Sequence, residues 1–387
     1  MRKTAFLILV SIVFYSCATS SEAPDRIMEN GTEVVLNRLE PYSIQGEPSA
    51  FTLHKEFAID AEDDAIADLG LTDIGLHFDV DSEANIYLTS YEYAEGMIFK
   101  FDSRGNFVRS FLRKGQGPGE LEGRNYLTLF PSVDRNDNLA VSDFGNKMVI
   151  FDGAGQMIEE RRIDSSTVSI SPLPNGNFLS FLSVMDGKSE FINQNPLCIL
   201  DNQLDKVKEL DKQMVPNPIV GKRLKGFYYI LSWSVSDSLI FTGFQERGYE
   251  ISAYDFDGNL VRKIQKEWKP VPVPEEHKKK FMEDFSAPIF DDIRGKIYFP
   301  SAMPPFHSFF ADDEGRLFVM TYEKGVKPGE FFFDIFDAEG VCTGRKSLKV
   351  LHDESGISAK MKNGRFYCLH EKESGYKELV VSKVIWE

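Results

Sequence analysis

The 387-residue sequence predicts an all-β fold: a six-bladed β-propeller of four-stranded antiparallel blades, closed by an N-terminal strand. Three observations lead there. One turn motif recurs along the chain, and a strand-opening motif recurs six times at propeller-like spacing. The 32 Phe and 14 Tyr, in β-like runs cut by Gly and Asp, supply the core of an all-β protein.

The turn motif is clearest at Phe101-Asp102-Ser103-Arg104-Gly105-Asn106. It returns at Phe151-Asp152-Gly153-Ala154-Gly155, at Tyr254-Asp255-Phe256-Asp257-Gly258 and at Phe336-Asp337-Ala338-Glu339-Gly340. An apolar residue ends one strand, Asp caps the turn through its side chain, and Gly supplies positive φ. A fifth copy, Leu200-Asp201-Asn202-Gln203-Leu204-Asp205, has lost the glycine, so its turn is expected to differ in type or length.

The strand-opening motif is a polar Asp/Asn/Gly turn followed by a short β-run. Its first apolar positions are Ile86, Leu139, Phe178, Leu239, Leu317 and Phe366, at intervals of 53, 39, 61, 78 and 49 residues. Most intervals suit one four-stranded blade with a loop insertion. The sixth copy has no Asp-x-x-Gly turn after it, and the chain ends in a strand at 379–385. The segment 51–59 is the candidate to cover that open edge. The longest interval predicts an insertion at about 268–305. It holds a Pro-rich stretch, a helix over 275–285 with Lys278-Lys279-Lys280, and a hairpin near 292–298; a seventh blade starting there is the alternative reading.

Arg2 and Lys3, the apolar run 5–14 and Phe14-Tyr15-Ser16-Cys17 have the layout of a lipoprotein signal. Residues 1–16 are expected to be removed and Cys17 lipidated, with 17–50 a tether and leading segment dispensable for folding and 51–387 the propeller. The three other cysteines, Cys198, Cys342 and Cys368, read as buried thiols, and their spacing selects no bridge. Sixty acidic against 44 basic residues give a net charge of −16, which argues against nucleic acid as a partner.

Several segments resemble the bacterial six-bladed β-propeller lipoproteins common in Bacteroidetes, related to NHL-repeat proteins. They are Gly46-Glu47-Pro48, Phe78-Asp79-Val80-Asp81 with Asn85-Ile86-Tyr87, Phe99-Lys100-Phe101-Asp102, Lys114-Gly115-Gln116-Gly117-Pro118-Gly119-Glu120, and Gly315-Arg316-Leu317-Phe318-Val319 with Pro304-Pro305-Phe306 ahead of it. The resemblance covers about residues 34–387. It implies the fold and an envelope location, and carries over no catalytic residues.

The sharper motifs have structural readings. Gly115-Gln116-Gly117-Pro118-Gly119 lacks the Gly-Lys-Ser/Thr ending of a phosphate loop and reads as a rigid connection between blades. Arg113, Lys114 and Gln116 are its candidate ligand-facing residues. Gly325-Val326-Lys327-Pro328-Gly329-Glu330 partly echoes it. Asp79-Val80-Asp81-Ser82-Glu83 and Asp134-Arg135-Asn136-Asp137-Asn138 depart from the calcium-loop pattern and read as Asx turns. Some propeller lyases and lactonases gather a channel metal from equivalent positions on several blades. His77 lies nine residues ahead of Ile86 and His307 ten ahead of Leu317, so the two are expected to face opposite ways. His54, His277, His352 and His370 complete the histidines. No nucleophile elbow or Cys/His zinc spacing is present, and no catalytic residue, metal or cofactor is predicted. The expected function is that of a membrane-tethered envelope module. It would bind a small ligand or an outer-membrane protein without catalysis; a channel-centred hydrolase or lyase is the alternative.

Overall fold

A computed structural model describes residues 23–46, 48–90, 97–122, 129–144, 146–185, 191–217, 223–227, 229–353 and 356–387. Six small antiparallel sheets make up the six blades of a propeller. Blade 1 comprises Ile74–Val80, Ile86–Ser90, Ile98–Phe101 and Phe107–Phe111, and Phe130–Val133, Leu139–Ser142, Lys147–Phe151 and Met157–Arg162 form blade 2. Blade 3 comprises Thr167–Pro172, Phe178–Leu182, Phe191–Leu200 and Lys206–Pro216. Blade 4 comprises Leu231–Val235, Ile240–Phe244, Glu250–Tyr254 and Leu260–Lys266. Ser308–Ala311, Leu317–Lys324, Phe331–Phe336 and Cys342–Leu348 make blade 5. Blade 6 takes three strands from the C-terminus (Ala359–Lys362, Arg365–Glu371, Lys377–Trp386) and its outer strand from Phe51–Asp60. In that last pairing Phe51 stands opposite Trp386 and Asp60 opposite Glu378.

Each blade begins at the axis, since the first strands of neighbouring blades contact one another. The tight turns after the first and third strands lie at one end of the propeller. The longer connections lie at the other, here called the loop face. The core is divided into apolar wedges between blades. Tyr367, Leu369 and Val381 of blade 6 meet Val80, Phe99 and Phe101 of blade 1. Phe366 and Phe51 meet Phe318 and Phe333 across the next interface.

The repeat motif has a uniform geometry. Asp102 Oδ1 accepts from the backbone N–H of Arg104 (2.9 Å) and Asn106 (2.8 Å), and Asp152, Asp255 and Asp337 do the same two and four residues on. Gly105, Gly155, Gly258 and Gly340 have φ of 84°, 74°, 79° and 77°. The turn without glycine does not differ in type or length. Asp201 Oδ1 accepts from Gln203 and Asp205 (2.9 Å each), and Leu204 holds φ 68°. The Asp side chain sets this turn, so Leu is driven into a backbone region that costs it steric energy.

A second regularity joins blade to blade. The carbonyl of the residue after the turn Asp accepts a hydrogen bond from the preceding blade. Arg365 donates to Ser103 O (2.8 Å), Lys100 to Gly153 O (2.8 Å), Arg161 to Asn202 O (2.7 Å), Asn175 to Phe256 O (3.0 Å) and Arg262 to Ala338 O (3.0 Å). The turn glycines face that same neighbour. A Cβ on Gly105 would lie 2.6 Å from the Phe57 ring, and one on Gly340 2.7 Å from Ile264.

Part of the leading segment packs on the propeller. Asp25–Glu29 and Thr32–Asn37 form a hairpin, and its second strand pairs in parallel with the outer strand of blade 4, Glu33 opposite Arg262. Val34 and Val35 are buried. The Asn37 side chain donates to Gln265 O and Gly340 O, and accepts from Cys342 N at 2.7 Å, stapling blade 4 to blade 5. Alternating Val-Val-Leu at 34–36 is short enough to pass for linker, and only the open edge of blade 4 reveals its partner. Residues 1–22, with Cys17, lie outside the described residues.

Between blades 4 and 5 the chain forms the helix Glu275–Asp284, with Phe281 buried against Phe285 and Phe299, then a short helix Asp291–Arg294. Ile297–Tyr298 then pairs in parallel with Leu224–Lys225 from the previous connection. Residues 292–298 are thus neither a hairpin nor a seventh blade; their partner is remote in sequence. Cys198, Cys342 and Cys368 are buried free thiols.

Two outcomes follow from these contacts. Gly105→Ala is expected to cost more than Gly258→Ala in urea unfolding. Both meet ~1–2 kcal/mol of left-handed backbone strain, but only Gly105 would also displace an aromatic ring of the neighbouring blade; equal losses would disprove the packing role. Deleting residues 18–45 is expected to lower the melting temperature relative to deleting 18–22, because it exposes Val34 and Val35 and removes the Asn37 staple. Coincident melting curves would show the hairpin to be dispensable.

Candidate functional site

The inner strand of blade 1 is irregular. Ile74 pairs with Ser90 and Phe78 with Leu88, so residues 75–77 bulge opposite Thr89 alone. Thr89 Oγ1 donates to the His77 carbonyl (2.8 Å) and fixes the bulge. His77 keeps part of its surface accessible and packs its ring on Phe130 of blade 2, with centroids 4.4 Å apart.

From the other side comes blade 5. His307 precedes its inner strand, is buried, and shares a hydrogen bond between Nδ1 and Ser308 Oγ (2.8 Å). Its ring meets Tyr322 at 5.6 Å and stands edge-on to His352 at 5.1 Å. His352 and Asp353 come from the connection to blade 6, where a two-residue pairing with Gly356–Ile357 holds them. The His352 ring also rests on Phe331 (4.9 Å).

These groups share one electrostatic environment. Burial lowers the His77 pKa to about 4, and the Asp353 carboxylate opposes that shift. His307 is likewise lowered to about 4, by burial first and by His352 second, and Asp353 again opposes it. His352 is lowered too, mainly by burial. Blades 1 and 5 and the blade 5–6 connection therefore bring three neutral imidazoles within the field of one exposed carboxylate. Neutral imidazoles of this kind can accept hydrogen bonds from a polar ligand near neutral pH.

The one-residue offset between His77 and His307 is real: Val80 pairs with Ile86, and Ala311 with Leu317. An offset reverses the side-chain face only in a regular strand. His77 sits in a bulge and His307 before its strand begins, so the two do not occupy opposite-facing positions of one strand pattern. Asp353, Tyr322 and Phe130 carried no sequence signal, since the contacts that matter come from four separate elements. Among the described residues no three His, Cys, Asp or Glu are placed to hold a metal ion.

Deeper along the inner strands, Asp79 is saturated by the backbone N–H of Val80 (2.7 Å) and Val133 (2.8 Å) and by the Lys360 ammonium. Asp81 and Asp134 are Asx caps, accepting from Glu83 and Asn85, and from Asn136 and Asn138.

Arg113, Lys114 and Gln116 are exposed on one connection between blades 1 and 2. Their loop is locked from within. Arg113 pairs with Glu120 and Lys114 with Leu121, and Glu120 Oε2 accepts from Gly117 N (3.0 Å). Lys147 Nζ holds the Gly117 carbonyl (2.8 Å). The echo at 325–330 repeats the device, with Glu330 Oε2 accepting from Lys327 N (3.1 Å).

The loop face carries exposed apolar side chains. Met185 is 78% exposed, Val326 78% and Ile289 82%, with Phe144, Val184, Trp268 and Tyr376 also open to solvent. They come from connections of blades 2, 3, 5 and 6 and from the insertion.

Fold and site together define a six-bladed propeller with three histidines grouped at one end and several exposed apolar side chains on its loops. The profile of the DUF5128 family, a 6-bladed beta-propeller, matches residues 71–290, and the chain belongs to that family. No curated protein sequence matches it significantly. Among solved structures it is similar to a gluconolactonase of Xanthomonas campestris, at 11% identity and a TM-score of 0.42, over 87% of this chain and 99% of that one. It is also similar to BamB from Moraxella catarrhalis, at 10% identity and a TM-score of 0.35, over 86% and 100%. Neither neighbour, at those values, bears on what this chain binds.

The buried imidazole of His307 gives a pH prediction. It takes its proton near pH 4 when folded and near 6.5 when unfolded. The unfolded chain therefore binds the proton first as pH falls. The stabilisation is whole above 6.5 and is lost toward 4, by about 3 kcal/mol. Asp312, pushed up to about 6 by burial, slopes the other way between 3.8 and 6. The histidine contribution is thus read as a difference: His307→Asn should flatten the loss of denaturation midpoint between pH 6.5 and 4.5. Parallel profiles would refute it.

Proposed function

We propose that this protein is an exported lipoprotein of the Bacteroidetes type, with NHL-like repeats, held at the outer membrane by lipid on Cys17. Its propeller acts there as a non-catalytic binding module. The supporting observation is the set of exposed apolar side chains on the loop face, contributed by several blades at once. Exposed apolar groups gathered on one face mark an interaction surface. The partner this suits best is an outer-membrane protein, contacted through Phe144, Met185, Ile289 and Val326. Acyl chains contribute ~0.8 kcal/mol per buried methylene, and two or more hold a soluble domain durably at a bilayer.

A second reading, a channel-centred hydrolase or lyase, draws support from the convergence of His77, His307 and His352 on Asp353. Perturbed titratable groups at a channel end are where acid–base chemistry is sought.

Cys17→Ala is expected to release a folded protein from the membrane fraction; sedimentation with membranes at high salt would sink the anchor. Photo-crosslinkers at Phe144, Met185 and Val326 are expected to give one common adduct in cells, and none from Val108, Val207 or Val261 on the outer strands. The reverse pattern would reject the loop face. Turnover of an ester or lactone that is lost in both His77→Ala and His307→Ala would favour the second reading.

A further inference from the structure

The interface between blades 2 and 3 departs from the repeat on both of its sides. Elsewhere a turn glycine accepts an apolar residue from the preceding blade's outer strand: Gly155 meets Phe111, Gly258 meets Leu210, and Gly340 meets Ile264. In blade 3 the glycine is Leu204. The strand position matching Phe111, Leu210 and Ile264 is Arg161 on blade 2, by the common start of the outer strands at Phe107, Met157, Lys206 and Leu260. Arg161 instead bonds Glu159 and, across the interface, the Asn202 carbonyl, with its guanidinium over the Phe178 ring. Both halves of the usual closure are absent, and a cleft of about 190 Å³ remains, walled by Ile163, Ile170, Leu182, Leu200 and Leu204.

We propose that this cleft binds a small monocarboxylate with an apolar body of about six to eight carbons, a size set by comparison with benzene in a 150 Å³ apolar cavity. Three features support it. Leu204 keeps a left-handed backbone that glycine would hold without strain, and its side chain is spent on the cleft wall. The wall is mostly aliphatic, which suits an apolar body. The head group is set by Lys206, the cation lining the cleft. An ammonium has three donors. One goes to Glu209 Oε2 (2.7 Å), and the side chain is still about half exposed at the cleft rim, open to an acceptor there. Asp164 also lines the cleft, with its Oδ1 held by the N–H and hydroxyl of Ser166. A carboxylate would make the stronger, charge-assisted bond.

The test is calorimetric titration of the whole mature protein with hexanoate and phenylacetate against hexanol. Hexanoate is expected to bind with Kd of about 1 mM or tighter, and hexanol about tenfold more weakly for want of the charged head. Lys206→Gln should erase that difference without unfolding the protein. Leu182→Trp should fill the cleft and abolish binding of both. Arg161→Leu, which restores the apolar residue of the other interfaces, should do the same if the tryptophan variant fails to fold. Equal binding of hexanoate and hexanol, unmoved by Lys206→Gln, would reduce the site to an apolar void. Absence of saturable binding by either carboxylate would overturn the proposal outright.

Discussion

The propeller depends on one contact repeated at five of its six blade interfaces: a turn carbonyl held by the preceding blade. Each blade alone is a twisted four-stranded sheet with two apolar faces and cannot bury both. The wedge between blades supplies the burial, but apolar contact is non-directional and does not set the angle between neighbours. The hydrogen bonds of Arg365, Lys100, Arg161, Asn175 and Arg262 do, because each fixes one turn against one side chain. The donors differ in type and in parent strand, yet the acceptor is the same backbone position every time. The Asp-capped turn is therefore a joint as well as a hairpin, and it aims that carbonyl outward toward the neighbour.

That constraint explains what was legible in the sequence. Asp and Gly at fixed offsets announced the turns, because an Asx cap and a positive φ each demand particular residues. The blade count came from the strand-opening motif, which recurs six times. The donors were not legible, since Arg, Lys and Asn are common on any exposed strand. The hairpin at 25–37 escaped notice for a related reason. Its pairing with Leu260–Lys266 is parallel and remote, and nothing in Thr32–Asn37 distinguishes a strand that adds to a blade from one that hangs free. The Leu204 turn was misread because glycine was taken as the cause of the turn, whereas the Asp201 carboxylate is.

The axial histidines show a similar limit. Registry arithmetic assumes a regular strand, and His77 lies where the strand is irregular. Bulges collect at sites that must re-aim a side chain, so the failure of the arithmetic is itself informative. Asp353 joins the group through a short pairing within the blade 5–6 connection. The site is assembled from departures from the repeat, as is the cleft beside Leu204.

The wrapped leading segment has a consequence for how the chain reaches its native state. Asn37 bonds Cys342 across 305 residues, and Lys346 bonds the Phe51 carbonyl across 295. Thr32–Asn37 must wait for Leu260–Lys266, and Phe51–Asp60 for Lys377–Trp386. Until then they are unpaired edges beside half-built sheets. Contacts of such sequence separation are slow to form and leave intermediates open to wrong pairings. Folding speed should thus be governed by the return of the C-terminal third of the chain, and the early strands are the part of the nascent protein most in need of protection.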